Sequence, residues 1–183
     1  MIALSIVIGL LLLVLAWAAW TYNRLVSLTN MMREAWSGID VQLKRRHDLI
    51  PNLVEAVKGY VSHERVLLED IARLRSQSVS SASIAGKAEA ETALSASLKT
   101  LFAVAEAYPE LKANQNFLRL QQDLAALEDE IQMARRYYNG TVRNYNILVE
   151  SFPSLVIARS MRAGKGEYFS AGTNERSAPS AAF

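Results

Sequence analysis

The chain has 183 residues, of which 51% are hydrophobic and 21% are charged, with 20 Lys and Arg against 18 Asp and Glu. The net charge of +2 argues against a general nucleic-acid binder, because such proteins usually carry a strong basic excess. The absence of cysteine excludes disulfides, thiol nucleophiles, Fe–S clusters and thiolate zinc sites.

The N-terminal segment has the composition of a membrane span. No charged side chain precedes Arg24, and residues 2–20 are almost entirely Ile, Leu, Val, Ala and Trp. A helix of about 19 residues covers nearly all of the ~30 Å hydrocarbon core of a bilayer. Trp17 and Trp20 lie at one end, where aromatic rings favour the lipid–water interface. We therefore predict a transmembrane anchor over residues 1–23. A cleaved signal peptide is the alternative, disfavoured by the missing basic n-region and the long apolar run.

Basic residues near the span predict its orientation. The N-terminal side has none, whereas Arg24 and Arg33 follow the span closely. The positive-inside rule then places the N-terminus outside and the residues after Arg24 in the cytoplasm.

Beyond the span, apolar residues recur at alternating steps of three and four over residues 22–74. Only Thr29, Arg46 and Glu64 interrupt this apolar stripe. A period of 3.5 predicts helices that supercoil against partner helices. Pro51 leaves two interpretations open: a kinked continuous helix, or two helices of which the second is capped by Asp48. The stripe consists of Tyr22, Leu25, Thr29, Met32, Trp36, Ile39, Leu43, Arg46, Ile50, Leu53, Val57, Tyr60, Glu64, Leu67, Ile71 and Leu74.

Two further helices are predicted in the rest of the chain. Residues 76–86 are rich in Ser and Ala and predict a loop, and residues 87–108 predict a second helix. A third helix is predicted from residue 110 or 114 to residue 152, where Pro153 stops it. A short turn over residues 154–162 and a flexible tail over residues 163–183 follow.

Helices with one apolar stripe each must bury it against one another. The fold class is therefore all-α: an N-terminal transmembrane helix, followed over residues 24–162 by an antiparallel, up-and-down bundle of long helices with coiled-coil packing. The first bundle helix, at about 50 residues, would be roughly 75 Å long, against about 33 Å for the second. Part of its stripe is then expected to meet the third helix, another copy of the chain or a partner.

Arg46 is the most informative charge, because it occupies a position in the apolar stripe. A charge buried there needs a partner, and Asp48, Glu55 and residues of the other helices are candidates. The favoured interpretation is an ion pair that fixes the register of the helices. A ligand site around Arg46, Asp48 and Asn52 is the alternative.

Two other polar positions are candidate interaction residues. Glu64 also interrupts the stripe, and it is expected either to pair with Arg135 or Arg136 or to lie at the solvated end of the bundle. Asn114 ends the polar turn over residues 108–114, a candidate contact surface for which an ordinary helix-to-helix turn is the favoured interpretation.

Nothing in the sequence indicates catalysis or a cofactor. His47 and His63 are separated by about 24 Å on a straight helix, so they cannot share a metal ion. The chain has no His-Glu-x-x-His motif, no Gly-rich phosphate loop and no Gly-x-Ser-x-Gly elbow. We therefore expect no enzyme activity, no cofactor and no metal site.

Several long segments resemble the signature of the LemA family. The longest, over residues 34–55, reads EAWSGIDVQLKRRHDLIPNLVE, and similar strings occupy residues 57–60, 105–114 and 134–139. The resemblance covers essentially the whole chain after the span. It implies a bacterial protein with one N-terminal span, a four-helix bundle and no established catalytic activity. Residues 161–166 depart from the family pattern, in which a Gly-Phe pair follows the last helix.

These observations predict a non-enzymatic, single-pass scaffold or adaptor in the bacterial inner membrane. We expect it to form homo-oligomers and to contact the lipid bilayer and other membrane proteins, but not nucleic acid. The alternative is a membrane-anchored regulator or sensor that binds a small ligand or metal in the bundle core.

Overall fold

The computed structural model describes residues 1–61 and 64–170, and every regular element within these ranges is an α-helix. Ser62, His63 and residues 171–183 lie outside the described residues, so the predictions for His63 and for most of the tail do too. The helices are α1 (Ile2–Lys58), α2 (Arg65–Ser80), α3 (Ile84–Ala105), α4 (Pro109–Lys112), α5 (Gln115–Glu150) and α6 (Ser154–Ser160).

Helix α1 runs without interruption through Pro51, which decides between the two interpretations that the sequence left open. Proline has no N–H, so it cannot bond to the carbonyl of His47 four residues earlier. Arg75 of α2 supplies the missing donor, with its Nε 2.7 Å from the His47 carbonyl oxygen. The helix tolerates Pro51 because another helix satisfies the carbonyl that the proline leaves free.

Helix α1 ends earlier than the apolar stripe. The chain turns after Lys58, where Gly59 destabilises a helix because glycine loses much conformational entropy on folding. In this turn, Tyr60 and Val61 both donate their N–H groups to the carbonyl of Val57. The stripe residues from Leu67 onward belong to α2. The expectation of one bundle helix reaching residue 74 is therefore wrong.

The loop predicted over residues 76–86, with helix allowed at its ends, is shorter than expected, because only residues 81–83 separate α2 from α3. Ser83 caps α3 by accepting the N–H of Gly86 at 3.1 Å. A Cβ added to Gly86 would lie 2.7 Å from the Ser81 Oγ, so a larger residue here would displace that hydroxyl. Ser78, which composition assigns to the loop, is buried in α2.

The chain divides into two compact units, and α1 and α5 contribute residues to both. Unit 1 comprises Met1–Ser37 and Arg136–Glu167, and unit 2 comprises Gly38–Arg135 with the described residues from Tyr168 onward. These units do not test the predicted anchor (1–23), bundle domain (24–162) and tail (163–183), which stay predictions.

In unit 1, α1 packs against the C-terminal part of α5 and against α6. Trp36 meets Tyr138 edge to face, with ring centroids 5.5 Å apart. The sequence places residues 163–183 in a flexible tail, yet Gly166 exchanges two hydrogen bonds with the Asn146 side chain, at 2.7 and 3.0 Å. The Tyr138 hydroxyl donates to the Glu167 carbonyl at 2.9 Å. The cluster nearer the N-terminus of α1 consists of Leu25, Leu28, Tyr145, Val149 and Ala158.

In unit 2, one hydrophobic cluster draws residues from five helices. Phe169 is also buried in unit 2, and the Arg135 guanidinium lies 5.1 Å from the centre of its ring. Phe169 thus supplies a buried aromatic side chain just beyond the segment that departs from the family pattern. The cluster consists of Ile50, Leu53, Val57, Val61, Leu68, Ile71, Leu74, Leu94, Leu98, Leu101, Ala105, Leu111, Phe117 and Leu124.

The apolar stripe of α1 is covered. Its members Leu25, Ile39, Leu43, Ile50, Leu53 and Val57 are all buried. The chain's own helices cover the stripe at these positions, and the third predicted helix is one of the three partners that the sequence left open for it. By contrast, the apolar side chains before Trp17 are exposed.

Helix α1 is the one helix in the described ranges that is long and apolar enough to cross a membrane. Its most apolar 18-residue window has a mean hydropathy of 2.8, and none of that window is buried. Exposed apolar surface of this extent is unfavourable in water and favourable in a bilayer.

Candidate functional site: a buried ionic cluster

The guanidinium of Arg46 lies at the centre of a buried ionic cluster in unit 2. Arg46 is only 1% exposed. Its Nη1 donates to a Glu128 carboxylate oxygen at 2.6 Å and to the Ser95 hydroxyl at 2.7 Å, and its Nη2 pairs with Glu91. Two carboxylates from α3 and α5 therefore compensate one charge from α1.

Glu91 is the second centre of the cluster and is 2% exposed. Besides Arg46, its carboxylate accepts hydrogen bonds from His47, whose Nε2 is 2.7 Å away, and from the Ser78 hydroxyl. Three helices thus meet at this carboxylate, since Arg46 and His47 belong to α1 and Ser78 to α2. An ionised carboxylate needs such donors, because its desolvation is otherwise very costly.

His47 contributes as a neutral donor. Its pKa is lowered to about 4, chiefly by burial and further by the positive charges of Arg46, Arg75 and Lys87, while Asp48 acts in the opposite direction. The ring is therefore uncharged at pH 7. Because the facing carboxylate oxygen can only accept, the geometry assigns the imidazole proton to Nε2.

Burial also lowers the pKa of Arg46, while the nearby Glu128 carboxylate raises it. The Nε atom of Arg46 is buried and has no hydrogen-bond partner among the described residues. Both terminal nitrogens of Arg46 thus make hydrogen bonds within the cluster, whereas its Nε does not.

A cavity of about 390 Å³ adjoins the outer side of the cluster. Its polar end is formed by Arg46, Ser95 and Glu128, and its walls include Leu98 and Phe102. The Glu128 side chain is 33% exposed, so its carboxylate is accessible in a way that Glu91 is not. Within residues 1–61 and 64–170, no group of three or more His, Asp or Glu side chains could hold a metal ion.

The residues predicted to accompany Arg46 lie elsewhere on α1. Asp48, Asn52 and Glu55 are exposed. Asn52 and Glu55 line a separate depression beside Arg119 of α5, and Asp48 lines another beside Arg75 and Lys87. The expectation that Asp48 or Glu55 pairs with Arg46 is wrong, whereas the other predicted source of partners, the remaining helices, is confirmed.

The other two predicted residues lie at helix starts. Asn114 accepts the N–H groups of Asn116 at 3.0 Å and Phe117 at 3.2 Å, so it caps α5, and its amide donates to the Tyr60 hydroxyl at 3.4 Å. Glu64 is half-buried at the start of α2 and makes no side-chain capping bond there.

Sequence reasoning missed Glu91 and Glu128, although a signal for Glu91 was present. Glu91 continues the stripe of α3 toward the N-terminus, three residues before Leu94 and seven before Leu98. A carboxylate at a stripe position of one helix and an arginine at a stripe position of another are natural partners. Glu128 follows the stripe residue Leu127 and gives no comparable signal.

Comparison with known proteins identifies relatives over most of the chain. The model of the LemA family matches residues 35–183. Protein LemA of Metamycoplasma hominis is 28% identical over 136 residues, which cover 73% of this chain and 58% of that protein. Magnetosome protein MamQ 2 of Paramagnetospirillum magneticum is 23% identical and magnetosome protein MamQ of Magnetospirillum gryphiswaldense is 22% identical, each over 81% of this chain and 64% of the relative. The chain thus spans about six tenths of the length of these curated relatives.

Proposed function

This chain belongs to the LemA family, and we propose that it is a non-enzymatic, membrane-anchored scaffold that self-assembles and contacts other membrane proteins. The helices after the span form an antiparallel, four-helix-type bundle with coiled-coil packing in the bacterial cytoplasm, and the N-terminus lies outside. The family and the long apolar helix indicate a membrane-associated helical protein. The scaffold role, the assembly and the orientation are our proposals.

The ionic cluster supports a structural role more than a chemical one. Glu91 is almost fully buried and accepts hydrogen bonds from three side chains. A catalytic acid or base must reach a substrate, and a carboxylate enclosed in this way does not. The cluster instead holds α1, α2, α3 and α5 in one arrangement within unit 2.

The observation that carries the assembly proposal is a pair of exposed apolar side chains on α5 in unit 1. Tyr137 and Ile147 are exposed on this helix although it buries Tyr138 and Tyr145 on its other face. Gly140 lies between them, and a Cβ added there would meet nothing within 4 Å. A glycine between exposed apolar side chains allows close approach of a second helix, which gives a self-association surface.

Native mass spectrometry of the full chain in mild detergent tests this surface. We expect the wild-type protein to form oligomers, Gly140→Ala to keep them and Gly140→Leu to lose them, because only leucine is large enough to block close approach. Both variants should fold, since neither removes a buried contact. A wild-type chain that stays monomeric at all concentrations, or a Gly140→Leu variant that assembles as the wild type does, contradicts the proposal.

The orientation has its own test, because the chain contains no cysteine. A single cysteine introduced in place of Val66, which is exposed on α2 away from the proposed assembly surface, reports which side of a sealed vesicle carries the helices after the span. In inverted inner-membrane vesicles, a membrane-impermeant maleimide should label it, whereas in intact spheroplasts it should not. Labelling in spheroplasts would reverse the proposed topology.

A sensor that binds a small ligand is the second candidate function, and the cavity beside Arg46 and Glu128 favours it. Its apolar walls and partly exposed carboxylate suit an amphipathic ligand. A thermal-shift screen with medium-chain alkylamines and carboxylates tests this, using Ala125→Phe to fill the cavity without removing any member of the ionic cluster. Stabilisation of the wild type but not of the variant supports the sensor; no stabilisation, or equal stabilisation of both, contradicts it.

A further inference from the structure

The turn between α5 and α6 presents apolar side chains that nothing in unit 1 covers. Phe152 is 85% exposed and Val156 is 59% exposed. The neighbouring residues are not loose, because Ala158 and Ser154 are buried and the Ser154 hydroxyl donates to the Leu148 carbonyl at 2.7 Å. The structure therefore holds these two apolar side chains outward on a packed segment.

The order of contacts in unit 1 places this turn beside the end of the apolar span. Trp36 meets Tyr138, whereas Leu25 and Leu28, nearer the N-terminus of α1, share a cluster with Tyr145 and Val149, which come later in α5. Continuing this order by one helical turn brings residues 151–153 to the level of Thr21. Thr21 is fully buried and directly follows Trp20, the last tryptophan of the apolar segment.

Basic residues accompany the exposed apolar ones. Arg159 on α6 and Arg162 just after it are exposed, and Arg24 is exposed on α1 at the same end of unit 1. Lys165 differs from them because it pairs with Glu150. Apolar and basic side chains that are exposed together are typical of segments that lie in the lipid headgroup region, where the arginines meet anionic phosphates.

We propose that the α5–α6 turn is a second membrane contact, in which Phe152 and Val156 enter the interface of the bilayer that α1 crosses and Arg159 and Arg162 bind anionic headgroups. This inference rests on the proposed membrane anchor. The lipid surface is the occupant because the turn lies beside α1 at the level where the apolar segment ends, so an anchored chain already holds the turn next to the membrane. The contact fixes how α5 stands on the membrane, which a single helix cannot do.

Environment-sensitive labels at single introduced cysteines test the contact in full-length protein in nanodiscs that hold one copy each. Phe152→Cys should give a blue-shifted label that lipid-attached nitroxides quench. Tyr137→Cys is the matched control, because it is exposed on α5 about 20 Å before the end of that helix and should stay accessible to iodide. Leu11→Cys, within the span, reports the anchor itself.

The outcomes separate the two proposals. If the Leu11 label is not quenched from the acyl chains, the membrane anchor fails. If the Leu11 label is quenched but the Phe152 label is as open to iodide as the Tyr137 label, only the present inference fails. Protection of Phe152 that needs several copies per disc would assign the turn to a second copy and overturn the lipid contact.

The charges are tested by lipid composition. In discs with anionic lipid, Arg159→Glu with Arg162→Glu should reduce the docking equilibrium constant of the turn by about fivefold for each arginine. In purely zwitterionic discs, the wild type and this double variant should behave alike. If the double variant weakens docking equally in both lipid compositions, the proposed binding of Arg159 and Arg162 to anionic headgroups is wrong.

Discussion

Replacement of Arg46 by alanine should lower the free energy of unfolding by about 3–5 kcal/mol. The guanidinium is 1% exposed and compensates Glu91, which is itself buried. Without Arg46, the Glu91 carboxylate keeps only the neutral donors His47 and Ser78, so an uncompensated charge remains away from water. The lost packing of the arginine stem adds to this cost.

The two carboxylates should differ, because their exposures differ. Glu91→Gln removes a buried charge opposite Arg46 and should cost about 2–4 kcal/mol. Glu128 is 33% exposed, so water screens its pair with Arg46 and Glu128→Gln should cost about 1 kcal/mol or less. Replacing both buried charges together, as in Arg46→Met with Glu91→Leu, should cost less than Arg46→Ala alone, because the only charge left without a partner is Glu128, which water reaches.

Denaturant unfolding of the full chain in non-ionic detergent at pH 7, followed by far-ultraviolet circular dichroism, measures these differences. Arg45→Ala is the control, because Arg45 is the neighbouring residue and is exposed, and its pair with Glu130 is 3.8 Å long. It should change the unfolding free energy by less than about 0.5 kcal/mol. An Arg46→Ala variant within about 1 kcal/mol of wild type would refute the assignment of Arg46 as the compensated centre of the cluster.

Three further predictions use the same unfolding measurement. The pKa of His47 is about 4 in the folded chain and near 6.5 in the unfolded chain, so the unfolded chain binds more protons between these pH values. The unfolding free energy of the wild type should therefore fall by up to about 1.4 kcal/mol per pH unit as the pH is lowered from 6.5 to 4. His47→Gln keeps a donor but cannot titrate, and its loss between pH 7 and 4.5 should be smaller. Asn114→Ala should cost about 0.5–2 kcal/mol through loss of the α5 cap, whereas the neighbouring Asn116→Ala should cost little. Arg75→Ala should cost about 1–3 kcal/mol, because it leaves the His47 carbonyl unpaired. The cost should be clearly smaller in a Pro51→Ala background, where the N–H of residue 51 can bond to that carbonyl. Equal costs in both backgrounds would contradict the pairing of Arg75 with the His47 carbonyl.

The helices and their apolar faces could be predicted from the sequence, because a period of three and four residues is local information. Most of the stripe from Leu25 to Val57 is buried, and the third predicted helix corresponds to α5. Arg46 stood out for the same reason, since a charge within an apolar stripe needs compensation wherever its partner lies.

What the sequence could not supply depends on contacts between distant residues. Arg46 and Glu128 are 82 positions apart, and Arg46 and Glu91 are 45 apart, so no local pattern joins them. Ser78 is helical despite a Ser-rich surrounding because its hydroxyl donates to a buried carboxylate, which composition cannot show. Conversely, the apolar stripe continues past Gly59 although the helix does not. Periodicity indicates which residues are buried, and it does not reveal a turn between two helices whose apolar residues keep the same spacing.

The position of the cluster suggests why a buried charge is retained in an otherwise apolar core. Heptad stripes of Leu, Ile and Val are nearly self-similar under a shift of seven residues, so apolar packing alone distinguishes such registers weakly. A shift of α3 by seven residues would place Ile84 or Leu98 where Glu91 meets Arg46, leaving the arginine buried without its carboxylate. A shift of α5 would replace Glu128 by Gln121 or by Arg135, and the latter would set two positive charges against each other. We infer that Arg46 makes the shifted registers costly, because a buried unpaired charge is penalised far more heavily than an imperfect apolar contact.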